Sequence, residues 1–265
     1  MHPFRTLAIE LYSKDASIEG KNALITGGTK NLGGETAEEL AKYGSNLFLH
    51  YHSDEETVSA EEFVESLQEF HGVKAAVFKG PLDEAKDVTR LFTEAEQFFG
   101  NGIDIAINNV GMVLKKPLTE IQPEEWEKMD TVNNKIAFFF IQEAAKRINR
   151  GGKIVSIVTS LLAAYCPGYA AYQGTMAPVE YYSKTASKEL TLKEVSVNCV
   201  APGPMDTPFF YPQEGEQDVE FYKTMSIKHR LTETTDIVPI IRFLVTEGYW
   251  ITGQTIFCSG GFTAR

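Results

Sequence analysis

The chain has 265 residues and a formal charge of −11, with 43% apolar and 23% charged residues. That length suits one large α/β domain or two small ones. The acidity argues against nucleic-acid or anionic-membrane partners, though not against an anionic cofactor, which needs only local amides and one or two cations.

The first 20 residues mix charged and apolar types without a signal-peptide core. The longest strongly apolar run, Ile136–Ile141, is far shorter than the roughly 20 residues of a membrane span, so a cytoplasmic protein is expected. Strand-type runs are predicted at Ala23–Thr26, Asn46–Tyr51, Lys74–Phe78, Ile103–Ile107, Lys153–Val158, Val195–Val200 and Gln254–Cys258. Helical patterns lie between them at Gly33–Lys42, Glu55–His71, Ala85–Phe99, Pro123–Ile148, Tyr172–Leu190 and Thr235–Glu247. Such alternation predicts a doubly wound parallel sheet of seven strands with helices on both faces, in a single Rossmann-type domain over residues 18–265 behind an extension at 1–17. Residues 202–230 interrupt the rhythm with prolines, aromatics and acids, the composition of a substrate-binding loop or lid. The cysteines at 166, 199 and 258 fit no zinc spacing and read as reduced packing residues, with Cys166 alone placed to line a pocket; no metal site is expected.

The first strand runs into Thr26-Gly27-Gly28-Thr29-Lys30-Asn31-Leu32-Gly33-Gly34. Glycines between a strand and a helix let backbone amides approach a pyrophosphate at the positive end of the helix. This turn resembles the Thr-Gly-x-x-x-Gly-x-Gly of the short-chain dehydrogenase/reductases, with Asn31 in place of the middle glycine. Asparagine tolerates positive φ better than other non-glycine residues. Asn108-Asn109-Val110-Gly111 resembles the family's Asn-Asn-Ala-Gly, Pro202-Gly203 with Thr207 its nicotinamide-side motif, and Ile251–Gln254 with Gly260-Gly261 its C-terminal signature.

The resemblance implies a nicotinamide cofactor held by Gly27, Thr29, Lys30, Asn31, Leu32, Gly33, His52, Ser53, Asn108, Asn109, Gly111, Tyr172, Pro202, Gly203 and Thr207. The second strand has no acid at its tip to bind a ribose 2′-hydroxyl, and Asp54 comes late enough to cap the next helix. Lys30 stands where a basic residue accompanies NADP in this family, so NADP(H) is preferred and NAD(H) remains possible. Pro81 replaces the aspartate that touches adenine in relatives.

The same resemblance makes Tyr172 the proton-exchanging tyrosine, Asn133 the relay asparagine with Asn134 as its neighbouring alternative, and Ser160 the serine that binds the substrate oxygen. Ser160 precedes Tyr172 by 12 residues, and Thr159, the second candidate, by the family's usual 13. The lysine of the Tyr-x-x-x-Lys motif is Met176. Four residues along a helix, it shares a face with Tyr172, and a thioether neither favours tyrosinate nor donates to a ribose. Lys184 lies about 12 Å further along the helix, out of reach. Without a neighbouring cation Tyr172 is expected to titrate near about 10, which harms alcohol oxidation more than carbonyl reduction.

Two readings follow: an NADP(H)-dependent reductase impaired at the lysine position, or a cofactor-binding protein or pseudoenzyme with a regulatory or interaction role. The walls expected around the substrate are Met112, Val113, Leu114, Leu162, Tyr165, Tyr169, Met205, Phe209, Phe210 and Tyr211, with no basic cluster. They suit a hydrophobic or aromatic ketone or aldehyde. A homodimer or homotetramer is expected, paired through the helices at 136–148 and from Tyr172, as in relatives.

Overall fold

A computed structural model describes residues 16–265; most of the expected 1–17 extension lies outside the described residues. Seven strands form one parallel sheet: β1 Asn22–Ile25, β2 Asn46–Tyr51, β3 Ala75–Lys79, β4 Ile103–Asn108, β5 Ile148–Ile157, β6 Ser196–Pro202 and β7 Thr255–Cys258, in the order β3-β2-β1-β4-β5-β6-β7. Their side chains alternate between two cores. Leu24, Phe48, Ala106 and Ile154 face one apolar cluster with Phe92 and Phe140, while Ala23, Ile25, Leu49, Ile107 and Val155 face the other with Leu40 and Ile241. A strand buried on both faces must be apolar throughout, and all four residues of β1 are buried.

The helices are α1 Asn31–Lys42, α2 Thr57–His71, α3 Ala85–Phe99, α4 Pro123–Asp130, α5 Ile136–Arg147, α6 Ala170–Glu189, α7 Glu216–Thr224 and α8 Thr234–Val245. Reciprocal capping boxes start α3 (Glu84 with Asp87), α4 (Gln122 with Glu125) and α8 (Glu233 with Asp236), each satisfying amides that a helix start leaves unpaired. No helix of the described residues is long and apolar enough to cross a membrane.

Two segments differ from the sequence reading. The single helix expected over Pro123–Ile148 is divided by a π-helical turn at Thr131–Lys135. The stretch expected to be irregular after Pro202 carries α7 and a short 3₁₀ turn at Tyr211–Gln213, and is tied down by a bridge between Met205 and Thr232. The chain adds strands outward in one direction from β1 and in the other from β4, and a crevice opens at that switch point at the carboxyl ends of the strands.

Candidate active site

A cavity of about 620 Å³ occupies that crevice. Its floor begins at the glycine turn. Asn31 adopts φ 48°, the left-handed conformation its side chain tolerates. Gly33 is required on different grounds: a Cβ there would sit 2.0 Å from the carbonyl oxygen of Gly27. No side chain caps the start of α1 and no acid lies in its first turn, so its amides and partial positive charge suit an anionic group.

His50 was not singled out from the sequence, yet it pins this turn. Its Nδ1 accepts from the Gly27 amide at 3.2 Å, and Nε2 lies 2.9 Å from the Gly80 carbonyl, to which it donates. Burial lowers this imidazole to about 4, which keeps it neutral in that tautomer. Its strand is buried from Leu47 to Tyr51, so no pattern of the strand sets His50 apart, and its partners come from residues 27 and 80.

Of the residues expected at the cofactor, Gly27, Thr29, Lys30, Asn31, Leu32, His52, Asn109, Gly111, Tyr172, Pro202, Gly203 and Thr207 line the cavity. Gly33, Ser53 and Asn108 stand behind its wall. Asn108 is buried beside Thr26, and Asn109 uses its side-chain amide to bind the carbonyls of Thr26 and Gly27 at 3.1 Å each. The tip of β2 carries no acid, but one that the sequence reading did not single out, Glu56, reaches the cavity from the 3₁₀ turn Asp54–Glu56. It pairs with Lys30 at 2.8 Å and accepts from Ser53 Oγ at 3.0 Å. Burial works against the charge, but the Lys30 and Ser53 bonds win and hold the carboxyl below its ordinary range. A residue five positions beyond the strand becomes a neighbour of Lys30 only after the chain folds.

At the other end, Tyr172 lies on α6 with its ring buried. Burial pushes its hydroxyl up to about 12, while the bond it shares with the Thr159 side chain pulls the other way. The expectation of a value near 10 is therefore corrected, because the missing cation is compounded by lost solvent. Thr159, the second sequence candidate, is the hydroxyl residue that reaches Tyr172; Ser160 also lines the cavity and opens a 3₁₀ turn. At the exit of a strand, one residue of offset turns a side chain to the opposite face.

Asn133 is buried on the π-helical turn. Its side chain accepts from the Met112 amide at 2.8 Å and donates to the Met112 carbonyl at 2.9 Å and to Thr175 at 3.2 Å. Such turns occur often at functional sites, where one extra residue re-aims the backbone. Asn134 instead accepts from the Tyr182 hydroxyl and donates to Asp130. Met176 is 5% exposed and packs with Met129, Tyr169 and Tyr172, a cluster extended by Met112, Val113 and Leu161. Lys184 is ion-paired with Glu180 on its own helix.

Met112, Val113, Tyr169, Met205, Phe209 and Phe210 line the cavity beyond Tyr172. Leu114 and Leu162 pack behind, Tyr165 is 90% exposed and Tyr211 points outward to Asp206. Cys166 packs beside the same cluster as a free thiol, its ionisation disfavoured by burial. No basic cluster was expected at this end, and a single lysine meets two acids there. Lys115 binds Glu214 at 2.6 Å and Asp218 at 2.7 Å, and the Tyr169 hydroxyl donates to Glu214. These bonds tie Glu214 and Asp218 of the 202–230 segment to Lys115 and Glu214 also to Tyr169 at the cavity wall. Among the described residues no His, Cys, Asp and Glu cluster is suited to a metal.

The family model described as enoyl-(acyl carrier protein) reductase matches residues 27–263. The chain is 32% identical to tetrahydroxynaphthalene reductase of Pyricularia oryzae, covering 94% of this chain and 91% of that one. It is 31% identical to NADPH-dependent aldehyde reductase 2, chloroplastic, of Arabidopsis thaliana, covering 96% and 98%. A putative dehydrogenase from Burkholderia cenocepacia, solved with bound NADP, superposes over the whole of both chains with a TM-score of 0.93 and 46% identity. The chain belongs to the short-chain dehydrogenase/reductase family.

Proposed function

We propose that this chain is an NADP(H)-dependent carbonyl reductase for a hydrophobic or aromatic ketone or aldehyde, working with an impaired proton-transfer site. The observation that carries the reading is Tyr172: a buried hydroxyl held neutral and bonded to Thr159, between the glycine turn and an apolar wall. The amides of the glycine turn would hold the pyrophosphate, Lys30 and His52 the 2′-phosphate, and Pro202-Gly203 with Thr207 the nicotinamide end. NADPH, when bound, supplies the hydride. Thr159 orients the substrate oxygen, and Tyr172 gives it a proton as the carbonyl becomes an alcohol. The neutral tyrosine is the form that reduction needs. Met176 removes the charge that would restore tyrosinate for oxidation and breaks the proton relay toward Asn133.

The relatives support the cofactor and the class of reaction: of those named above, one is an NADPH-dependent aldehyde reductase, one a putative dehydrogenase solved with NADP, and one a tetrahydroxynaphthalene reductase. The aromatic and thioether lining supports the substrate class. Phe138 on α5 and Tyr181 on α6 are exposed, and we assign the contact of a homodimer or homotetramer to that face. Buried packing of Met176 favours the second reading, a cofactor-binding protein without redox turnover. NADPH consumption with a panel of aromatic ketones and aldehydes separates the two. Turnover above that of Tyr172→Phe supports the reductase; NADPH binding without consumption of it on any member would leave the second reading.

A further inference from the structure

We propose that Glu214 is a positioning residue that fixes the Tyr169 ring as a flat aromatic wall beside Tyr172. The chain should therefore prefer aryl ketones and aldehydes, a class narrower than the carbonyl reductase reading on which this inference rests. Three distant segments meet at Lys115. Its backbone amide donates to Gln213 Oε1 at 3.0 Å, and the next amide, of Lys116, donates to the Gly168 carbonyl at 2.7 Å. Gly168 sits at φ 85°, and a Cβ there would come within 3.1 Å of Lys115 Cγ, so the approach needs glycine. The Lys115 ammonium then bridges Glu214 at 2.6 Å and Asp218 at 2.7 Å. The Glu214 side chain is 0% exposed, and a buried carboxylate keeps its place only while its donors stay. Lys115 satisfies one oxygen and the Tyr169 hydroxyl the other. Tyr169 is buried too, with the Lys115 ammonium 5.9 Å from its ring centre and the Tyr172 ring centre 6.0 Å away. Its proton is committed to Glu214, which leaves Tyr172 to serve the substrate oxygen. Tied at both ends, the Tyr169 ring cannot swing out, so an aryl group beside Tyr172 meets a wall already ordered.

Acetophenone and cyclohexyl methyl ketone are close in size, but only the first carries a flat aromatic ring. The ratio of their kcat/KM values with NADPH measures the wall. Glu214→Ala should lower the preference for acetophenone about fivefold, mainly through a higher KM. Glu214→Gln, whose amide oxygen still accepts from Tyr169, should keep most of that preference. Tyr169→Phe keeps the ring, removes its tether and strands no charge, so it should lose as much as Glu214→Ala and decides alone if that variant does not fold. An unchanged preference in Tyr169→Phe, or equal losses for both ketones in all three variants, would overturn the positioning role. A readout without turnover comes from Cys166, whose thiol shares a hydrogen bond with Tyr222 of α7 beside this cluster. Its labelling by an aromatic disulfide reagent, corrected with Cys166→Ser versions, should quicken at least about fivefold in Glu214→Ala and stay near the parent rate in Glu214→Gln. If the parent reduces no ketone while this labelling pattern holds, the reductase reading falls and the Glu214 anchor stands. If the parent reduces ketones while Glu214→Ala leaves both labelling and aryl preference unmoved, the anchor falls alone.

Discussion

At the cofactor end the cavity is built from backbone and small side chains, steadied by a neutral histidine and one ion pair within reach of solvent. At the reacting end it is built from large apolar side chains around a neutral tyrosine, and no cation of the described residues is placed beside that hydroxyl. Burial holds both ring groups uncharged, but with opposite consequences. A neutral imidazole is what the glycine turn needs as an acceptor, whereas a neutral tyrosine serves only one direction of a redox reaction. On the function proposed above, the first end has the parts for binding in full, and the second has the parts for half of the chemistry.

The sharpest test of that contrast is Tyr172→Phe. If the reacting end works through this hydroxyl, kcat for ketone reduction should fall about 1,000-fold, with NADPH affinity within about twofold of the parent chain. Equal losses in both would show that the two ends are not separable. The converse substitution is Gly33→Ala. A methyl 2.0 Å from the Gly27 carbonyl forces the turn apart, and NADPH binding should weaken about 10- to 100-fold. Circular dichroism and melting should remain close to the parent, because the clash is confined to the turn.

Met176→Lys tests the impairment proposed at that position. An ammonium beside Tyr172 lowers a tyrosine by about one to three units. Alcohol oxidation at pH 8 should rise at least about tenfold, and reduction with NADPH should also gain from the restored relay. The pH profile supplies the sign. With the hydroxyl at about 12, tyrosinate increases tenfold per pH unit below that value. Oxidation by the parent chain should therefore climb with unit slope through pH 9–11, and the lysine variant should level off earlier. A parent profile already flat at pH 8 would contradict a buried, uncompensated Tyr172.

Much of this architecture is legible in the sequence because it depends on local pattern. α3 spans Ala85–Phe99 and β2 spans Asn46–Tyr51, the same limits as the hydrophobic periodicity. What escapes is set by contacts between distant segments. The π-helical turn at Thr131–Lys135 carries no compositional mark, since Asn133 reaches Met112 and Thr175 only in the folded chain. Glu56 reads as a residue of a helix start until Lys30 is placed against it. The choice between Ser160 and Thr159 depends on which face of a strand exit meets α6, and spacing to Tyr172 is the sole local clue. The depth of Tyr172 is likewise a property of the walls brought around it.

His50 offers the smallest effect and the finest test of the comparison. Its value of about 4 lies below the ordinary 6.5 of a histidine, with burial as the main cause. Between those two values the unfolded chain binds a proton that the folded chain refuses, so stability from this residue is complete above pH 6.5 and declines as pH falls toward 4. At pH 5.5 the loss is about 1.4 kcal/mol, a few degrees of melting temperature for a chain of this size. His50→Asn removes the titration while leaving an acceptor for the Gly27 amide. Melting curves of both proteins from pH 7 to 5.5 should diverge, with the parent losing those few degrees more than the variant. Parallel curves would mean that the imidazole is not held neutral by burial, and the contrast between a cofactor end served by neutrality and a reacting end limited by it would lose its first half.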